Sequence, residues 1–186
     1  QLGLDAHQIQ QLLDWLQAAG IRWGLDASFR DQWGLGHYAQ NTWTSGLSRL
    51  FLGYMLGESQ PLQDIAPIPL TSTAEQELLA TLTAWIDDLS QLWTAVHKEQ
   101  TSQEWRQTML WMVDTFFPQN QSIAPSLLTL RRVITELTEN MDQFKADLPT
   151  MLYLLRQALD ESGQESGFLA SGLTFCGLHP MRSIPF

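Results

Sequence analysis

Residues 71–96 read TSTAEQELLATLTAWIDDLSQLWTAV. Their apolar side chains recur at every third or fourth residue, at Leu78, Leu82, Trp85, Ile86, Leu89, Leu92, Trp93 and Val96. Residues at that spacing form one stripe along a helix, and Thr71 or Ser72 suits the N-cap. The stretch therefore predicts a long amphipathic helix whose stripe must be buried against other helices.

The same periodicity predicts further helices on both sides of this one. A capping box formed by Asp5 and Gln8 begins the first of them, and Gly20 is suited to end it. Pro149 stands where the first turn of the last helix is expected. The predicted helices cover about 5–20, 26–30, 43–57, 102–117, 125–144 and 149–159.

Three stretches interrupt the helical pattern. Residues 58–70 contain three prolines and no period, which predicts a loop. Residues 161–167 are polar with two glycines and predict a linker or turn, whereas 168–178 suit a β-strand better than a helix. We therefore expect an all-α domain, followed by the first strand of a different domain at the C-terminal end of the chain.

Composition excludes several classes of protein. The 186 residues are 44% hydrophobic and include one cysteine, which argues against a disordered tail or a disulfide-stabilised mini-protein. No apolar run approaches the roughly 18–20 residues of a membrane span. Twenty acidic against ten basic residues give a formal charge of −10, which is unfavourable for a free-standing nucleic-acid binder. A soluble, cytoplasmic protein with no membrane association is predicted.

The ends of the sequence suggest a part of something larger. The chain begins at Gln1 without an initiator methionine or a signal-like segment, and it stops at Phe186 just after the predicted strand. We expect it to be a piece of a longer protein.

The sequence contains little that indicates catalysis. It has no phosphate-binding loop, no zinc-protease motif and no pair of cysteines, and its four histidines lie in no metal-ligand spacing. Residues 34–39 match a loose G-x-G-x-x-A dinucleotide motif, but a helical turn is predicted before them where a strand is required. No pair of carboxylates is placed for acid–base work. We predict no catalytic residue, no metal site and no bound cofactor.

Four of the eight tryptophans are predicted to lie in the core, because Trp85, Trp93, Trp105 and Trp111 fall on or beside helical apolar stripes. Trp23 differs, since it follows Arg22 between two glycines outside any periodic helix. Two interpretations remain open. The segment is a contact loop for a ligand, or it holds a buried indole while Arg22 pairs with a carboxylate.

Four stretches together resemble one family. They are GIRWGLD at 20–26, NTWTSGLSRLFLGYM at 41–55, GFLA at 167–170 and MRSIPF at 181–186. In order and spacing they are similar to RecC, the gamma subunit of exodeoxyribonuclease V. The resemblance runs from the first helix to the last residue and is weakest in the middle helices.

The resemblance implies a fold and a role. RecC is a superfamily-one helicase-like protein without ATPase activity, and it works in the RecBCD complex on broken DNA ends. By this resemblance, residues 1–166 are a multi-helix orthogonal bundle similar to helicase domain 2B, and 167–186 begin a RecA-like domain. The implied partners are RecB-like and RecD-like subunits, double-stranded DNA ends and single-stranded DNA. ATP and Mg²⁺ are used by those partner subunits.

The last ten residues resemble a degenerate helicase motif V. His179 aligns with the motif's histidine, a position that faces DNA, and Arg182 takes the place of its lysine. Ser183 and Pro185 replace the glycine and the nucleotide-holding glutamate, and proline offers neither a carboxylate nor an N–H. His179 and Arg182 are therefore DNA-binding candidates, with Arg22 and Trp23. The alternative for Arg182 is that it stabilises its own turn.

These observations leave three functional hypotheses. The first is a non-catalytic part of a RecC-type repair subunit that contributes architecture, DNA strand guidance and Chi recognition. The second is a helical protein–protein adaptor with no DNA role. The third, an accessory domain of an active RecB-like helicase, is disfavoured by Pro185 and Ser183.

Overall fold

The computed structural model describes residues 3–57, 65–70, 72–118, 120–139 and 145–165. These residues form seven helices and two short strands: α1 Ala6–Ala19, α2 Ala27–Asp31, α3 Trp43–Leu56, α4 Thr73–Val96, β1 Gln100–Thr101, α5 Ser102–Phe116, α6 Ala124–Glu139, β2 Lys145–Ala146 and α7 Leu148–Glu165. The chain divides into two compact units, Gln1–Gln91 and Leu92–Phe186. The prediction of an all-α fold is confirmed.

Helix ends follow the capping chemistry in the sequence. The Asp5–Gln8 capping box begins α1, and Gly20 ends it in the left-handed conformation at φ 70°. At α4, the hydroxyl of Ser72 accepts from the N–H of Glu75, whose carboxylate accepts from the N–H of Ser72. The strongest predicted helix is therefore present, and Ser72 supplies its first-turn bonds.

The linker predicted at 161–167 is wrong over its first five residues, because α7 continues to Glu165. A single glycine, Gly163, falls within those residues, and one glycine costs a helix only about 1 kcal/mol. Extending an existing helix is much easier than nucleating one, so this penalty does not end it. The strand predicted at 168–178 and the end of the helix predicted at 125–144 lie outside the described residues.

The first unit buries the apolar stripe of α4 as far as Leu89 against α1 and α3. Leu78, Leu82 and Ile86 are at most 4% exposed, as their spacing predicts. They share one hydrophobic cluster with Leu79 of α4 and with residues of α1, α3 and the segment before α4, namely Leu12, Trp15, Leu50 and Leu70. Trp85 and Leu89 are partly buried and pack against this cluster. Burial of these apolar side chains stabilises the unit through the hydrophobic effect.

The second unit has its own hydrophobic cluster. Trp105 is 2% exposed, and its indole N–H donates to the carbonyl of Ala146 at 2.9 Å. Its neighbours in the cluster are Met109, Val113, Leu127, Ile134, Ala146 and Met151. Strands β1 and β2 pair antiparallel, with Gln100 opposite Ala146. None of the helices in the described part of the chain is long and apolar enough to span a membrane.

Residues 65–70, the described part of the proline-rich loop predicted at 58–70, pass very close to α3. The N–H of Ile68 donates to the carbonyl of Arg49 at 3.0 Å, and Arg49 Nε donates to the carbonyl of Ala66 at 3.0 Å. A Cβ on Gly53 would lie 1.6 Å from the carbonyl oxygen of Ile68. A glycine inside α3 is therefore required for the segment to approach the helix.

We expect Gly53→Ala to lower the free energy of unfolding by about 3 kcal/mol, because the clash is with backbone that is fixed by hydrogen bonds. A Cβ on Gly46 would instead meet the side chain of Ile21, 2.1 Å from its Cγ1. Gly46→Ala should therefore be partly rescued by Ile21→Ala, whereas Ile68→Ala should not rescue Gly53→Ala. Urea unfolding of the single and double variants measures both couplings. Equal rescue in the two pairs would contradict this explanation.

Candidate functional site, an aromatic loop before the third helix

Two of the four predicted DNA-binding residues, Arg22 and Trp23, lie in a loop that we call the aromatic loop, residues 20–42. Its base is closed by backbone hydrogen bonds. The N–H of Arg22 donates to the carbonyl of Asn41 at 2.9 Å, and the N–H of Trp43 donates to the carbonyl of Gly24 at 3.0 Å. The two ends of the loop are therefore paired where α3 begins.

Thr42 fixes the end of the loop. Its side chain is 1% exposed, and its hydroxyl donates to the carbonyl of Ala39 at 2.7 Å. The same oxygen accepts from the N–H of Ser45 at 3.2 Å, which makes Thr42 the N-cap of α3. The short helix inside the loop, α2, is capped by Asp26, whose carboxylate accepts from the N–H of Phe29 at 2.7 Å. That bond, with one from the Ser28 hydroxyl, lowers the pKa of the Asp26 carboxyl.

A buried arginine crosses the inside of the loop. Arg30 is 5% exposed, and its Nη1 donates to the carbonyls of Tyr38 at 2.9 Å and Gln40 at 2.8 Å. Its Nη2 donates to the carbonyl of Trp23 at 2.7 Å. Among the described residues Arg30 forms no ion pair, and its buried Nε has no hydrogen-bond partner. The cation is therefore held by carbonyl oxygens instead of a carboxylate.

The outside of the loop carries exposed aromatic rings. The guanidinium carbon of Arg30 lies 4.6 Å from the centre of the Trp23 ring, a cation–π distance. Trp33 meets Trp23 in an edge arrangement with centroids 5.6 Å apart, and Phe29 lies 5.3 Å from Trp33. We call Trp23, Phe29 and Trp33 the aromatic surface. Trp23 is 42% and Trp33 53% exposed, although both rings have fixed neighbours.

The structure decides between the two interpretations of the Arg22–Trp23 pair only in part. The indole of Trp23 is not buried, and Arg22 is exposed without an ion pair to any described carboxylate. The interpretation as a buried indole beside an Arg22–carboxylate pair is therefore wrong. DNA contact by Arg22 and Trp23 stays a prediction. His179 and Arg182 lie outside the described residues.

The other predictions for tryptophans and for the glycine-rich motif have different outcomes. Trp105 is a core residue, as predicted, and Trp85 is partly buried against the first cluster. Trp93 is 39% exposed and stacks near His97. The loose motif at 34–39 follows α2, which is a helix, as the sequence predicts.

Charge is distributed unevenly along the chain. Residues 20–57 contain three arginines and two aspartates, a formal charge of +1, whereas the whole chain carries −10. In the described ranges, no three histidine, cysteine or acidic side chains are grouped closely enough to hold a metal ion. The aromatic loop itself has two arginines and two aspartates, so it carries its exposed rings on a stretch of no net charge in a strongly acidic protein.

Comparison with known proteins identifies the family. Residues 1–167 match the family described as RecBCD enzyme subunit RecC, fourth domain, and the chain belongs to that family. The resemblance to RecC stated from the sequence motifs is confirmed.

Three curated relatives are each named RecBCD enzyme subunit RecC. The Escherichia coli K12 protein is 30% identical over 183 residues, covering 96% of this chain and 16% of the relative. The Haemophilus influenzae protein is 28% identical over 178 residues, covering 93% and 15%. The Mycobacterium tuberculosis H37Rv protein is 24% identical over 190 residues, covering 100% and 17%. The chain therefore spans about a sixth of the length of these relatives.

We expect Arg30→Lys to lower the free energy of unfolding by at least about 2 kcal/mol, because an ammonium cannot reproduce a planar fork that reaches three carbonyls. Arg22→Lys is the matched control and should leave that free energy nearly unchanged, since Arg22 is exposed. Urea unfolding followed by tryptophan fluorescence and far-ultraviolet circular dichroism measures both variants. Equal stabilities of the two variants would show that the Arg30 contacts do not organise the loop.

Proposed function

We propose that this chain is a non-catalytic helical part of a RecC-type subunit in a helicase–nuclease that repairs DNA double-strand breaks, of the exodeoxyribonuclease V kind. The observation that carries the proposal is the match of residues 1–167 to the fourth domain of RecC. The curated relatives, which bear the name of that subunit, match nearly the whole of this chain. Subunit membership of the relatives supports RecB-like and RecD-like partners, and a cytoplasmic location, for this protein.

Within that subunit we assign residues 1–166 to a domain equivalent to helicase domain 2B and 167–186 to the start of a RecA-like domain. The proposed role is architecture and guidance of a DNA strand, including Chi recognition. Two cores with separate hydrophobic clusters support an architectural role. The replacements at Ser183 and Pro185 support a segment that does not hold nucleotide, so ATP and Mg²⁺ belong to the partner subunits.

The acid excess supports a role in confining DNA over a role in binding it tightly. Affinity for DNA comes largely from cations that neutralise phosphates, and this chain has half as many bases as acids. An acidic domain inside an assembly repels DNA from most of its surface and so helps to confine the strand to a channel. The same acidity favours the second candidate function, a helical adaptor that binds a basic protein surface and has no DNA role.

Co-purification separates the two functions. The full-length parent protein is tagged in its own cells, and the proteins recovered with it are identified by mass spectrometry. We expect RecB-like and RecD-like chains, together with ATP-dependent nuclease activity in the eluate. A parallel preparation from untagged cells controls for non-specific recovery. Recovery of neither chain and no such activity would reject the proposal in favour of the adaptor function.

The acid excess also predicts that the 186-residue chain alone binds DNA poorly. In a fluorescence anisotropy titration with forked DNA at low salt, we expect no saturation below about 10 µM, within the range of weak non-specific binding. Repeating the titration at higher salt identifies any electrostatic contribution, since phosphate contacts weaken steeply with salt. Sub-micromolar binding would contradict the prediction and would move the proposed role from confinement to direct capture of DNA.

A further inference from the structure

The aromatic surface is exposed and at the same time held in place. The carbonyl of Trp23 accepts from Arg30 Nη2, and the Arg30 guanidinium lies against the Trp23 ring. The N–H of Trp33 donates to the carbonyl of Arg30 at 3.0 Å, so the backbone of both tryptophans is attached to the same buried residue. More than half of the Trp33 side chain nevertheless remains open to solvent. Large fixed aromatic rings lose little conformational entropy when a flat ligand stacks on them.

The charge around this surface suits a polyanion. Arg30 has no carboxylate partner among the described residues, and its positive charge is offset by carbonyl dipoles and by the face of the Trp23 ring. Arg22, next to Trp23 in the sequence, is exposed and equally without a described ion pair. The two acids of the loop, Asp26 and Asp31, equal its two arginines in formal charge, and Asp26 is engaged by the N–H of Phe29 and by Ser28. Elsewhere the chain carries a large acid excess.

We infer that the aromatic surface is a base-stacking site for single-stranded DNA. The exposed Trp33 ring supplies the stacking platform, Trp23 and Phe29 support it from the side, and Arg22 lies ready to contact the phosphate backbone. This inference rests on the proposed function, because it requires the strand that the assembled enzyme produces. It adds to that function a site and a ligand state, with Trp33 as its principal residue.

Single-stranded DNA fits this surface better than duplex DNA does. In a duplex the base faces are covered by their neighbours, whereas an unpaired base presents a free π-face to an aromatic side chain. Stacking is tolerant of sequence, since every base has such a face. One stacking site with two nearby cations is too weak to hold DNA alone on a chain of charge −10, in keeping with the poor binding expected of the isolated chain. Its contribution is expected within the assembled complex.

The test uses the assembled complex that contains the full-length subunit, prepared with Trp33→Ala, Trp33→Phe or Tyr153→Ala. Tyr153 is 66% exposed on α7 and provides a matched control for loss of an exposed aromatic ring outside the loop. The probe is a hairpin duplex with a long oligo-dT tail, and a blunt hairpin of the same duplex is the reference. A second tailed hairpin carries bromodeoxyuridine, whose photocrosslinks are located by mass spectrometry.

We expect Trp33→Ala to weaken binding of the tailed hairpin about 5- to 150-fold relative to the blunt one, the range found when a base-stacking side chain is truncated. Trp33→Phe should lose much less, because it keeps a ring, and Tyr153→Ala should match the unsubstituted complex. Crosslinks should fall on the aromatic loop and disappear in Trp33→Ala.

Two results would overturn the inference and leave the proposed function intact. One is an assembled Trp33→Ala complex with unchanged preference for the tailed hairpin and no crosslink to the loop. The other is a Trp33→Ala subunit that keeps its helical circular dichroism but no longer co-purifies with its partners, which would make the surface a protein interface. Failure of the unsubstituted subunit to assemble or to bind either hairpin would instead refute the proposed function itself.

Discussion

The contact on which the aromatic loop depends is the buried guanidinium of Arg30. Burying a charge without a counter-charge is expensive, and here three carbonyl oxygens and an aromatic face replace the lost hydration. Those carbonyls belong to residues seven to ten positions away in the sequence, so one side chain fixes the course of the whole loop. Gly24 makes room for it, since a Cβ there would lie 3.0 Å from Arg30 Nε. This interior contact holds the backbone beneath the exposed rings, through the Trp23 carbonyl and the Trp33 N–H.

The helices were predictable because their information is local. Stripe spacing and capping residues lie within a few positions of one another, so the α4 stripe, the Asp5–Gln8 box and the Gly20 terminus could all be read from the sequence. The two-residue strands were not predictable, because their pairing joins Gln100 to Ala146 across 46 positions. No two-residue stretch has a period of its own. The end of α7 was missed because one glycine costs a helix too little to stop the extension of a helix that already exists.

The candidate site was predictable only where a residue broke a pattern. Trp23 was noticed because it lies outside every helical stripe, between two glycines. Arg30 was missed, since a charged residue in a short helix is ordinarily exposed and nothing in the sequence indicates that its partners are carbonyls. Trp33 was missed for a related reason, because its importance comes from an edge contact with Trp23 ten positions earlier. Both depend on the way the loop folds back on itself.

The uneven distribution of charge along the chain determines where the acidity would repel DNA. Charges farther apart than about 8 Å are largely screened at physiological salt, so a DNA strand responds to the groups nearest to it more than to the total of −10. Over most of the sequence those groups are acidic, and in residues 20–57 they are slightly basic. Repulsion elsewhere then increases the selectivity of a loop that has no net charge, because it lowers the affinity of competing positions without adding contacts. Under the proposed function, a weak stacking site on an acidic domain would therefore orient a strand that other subunits bind tightly, and would still release it as the strand moves on.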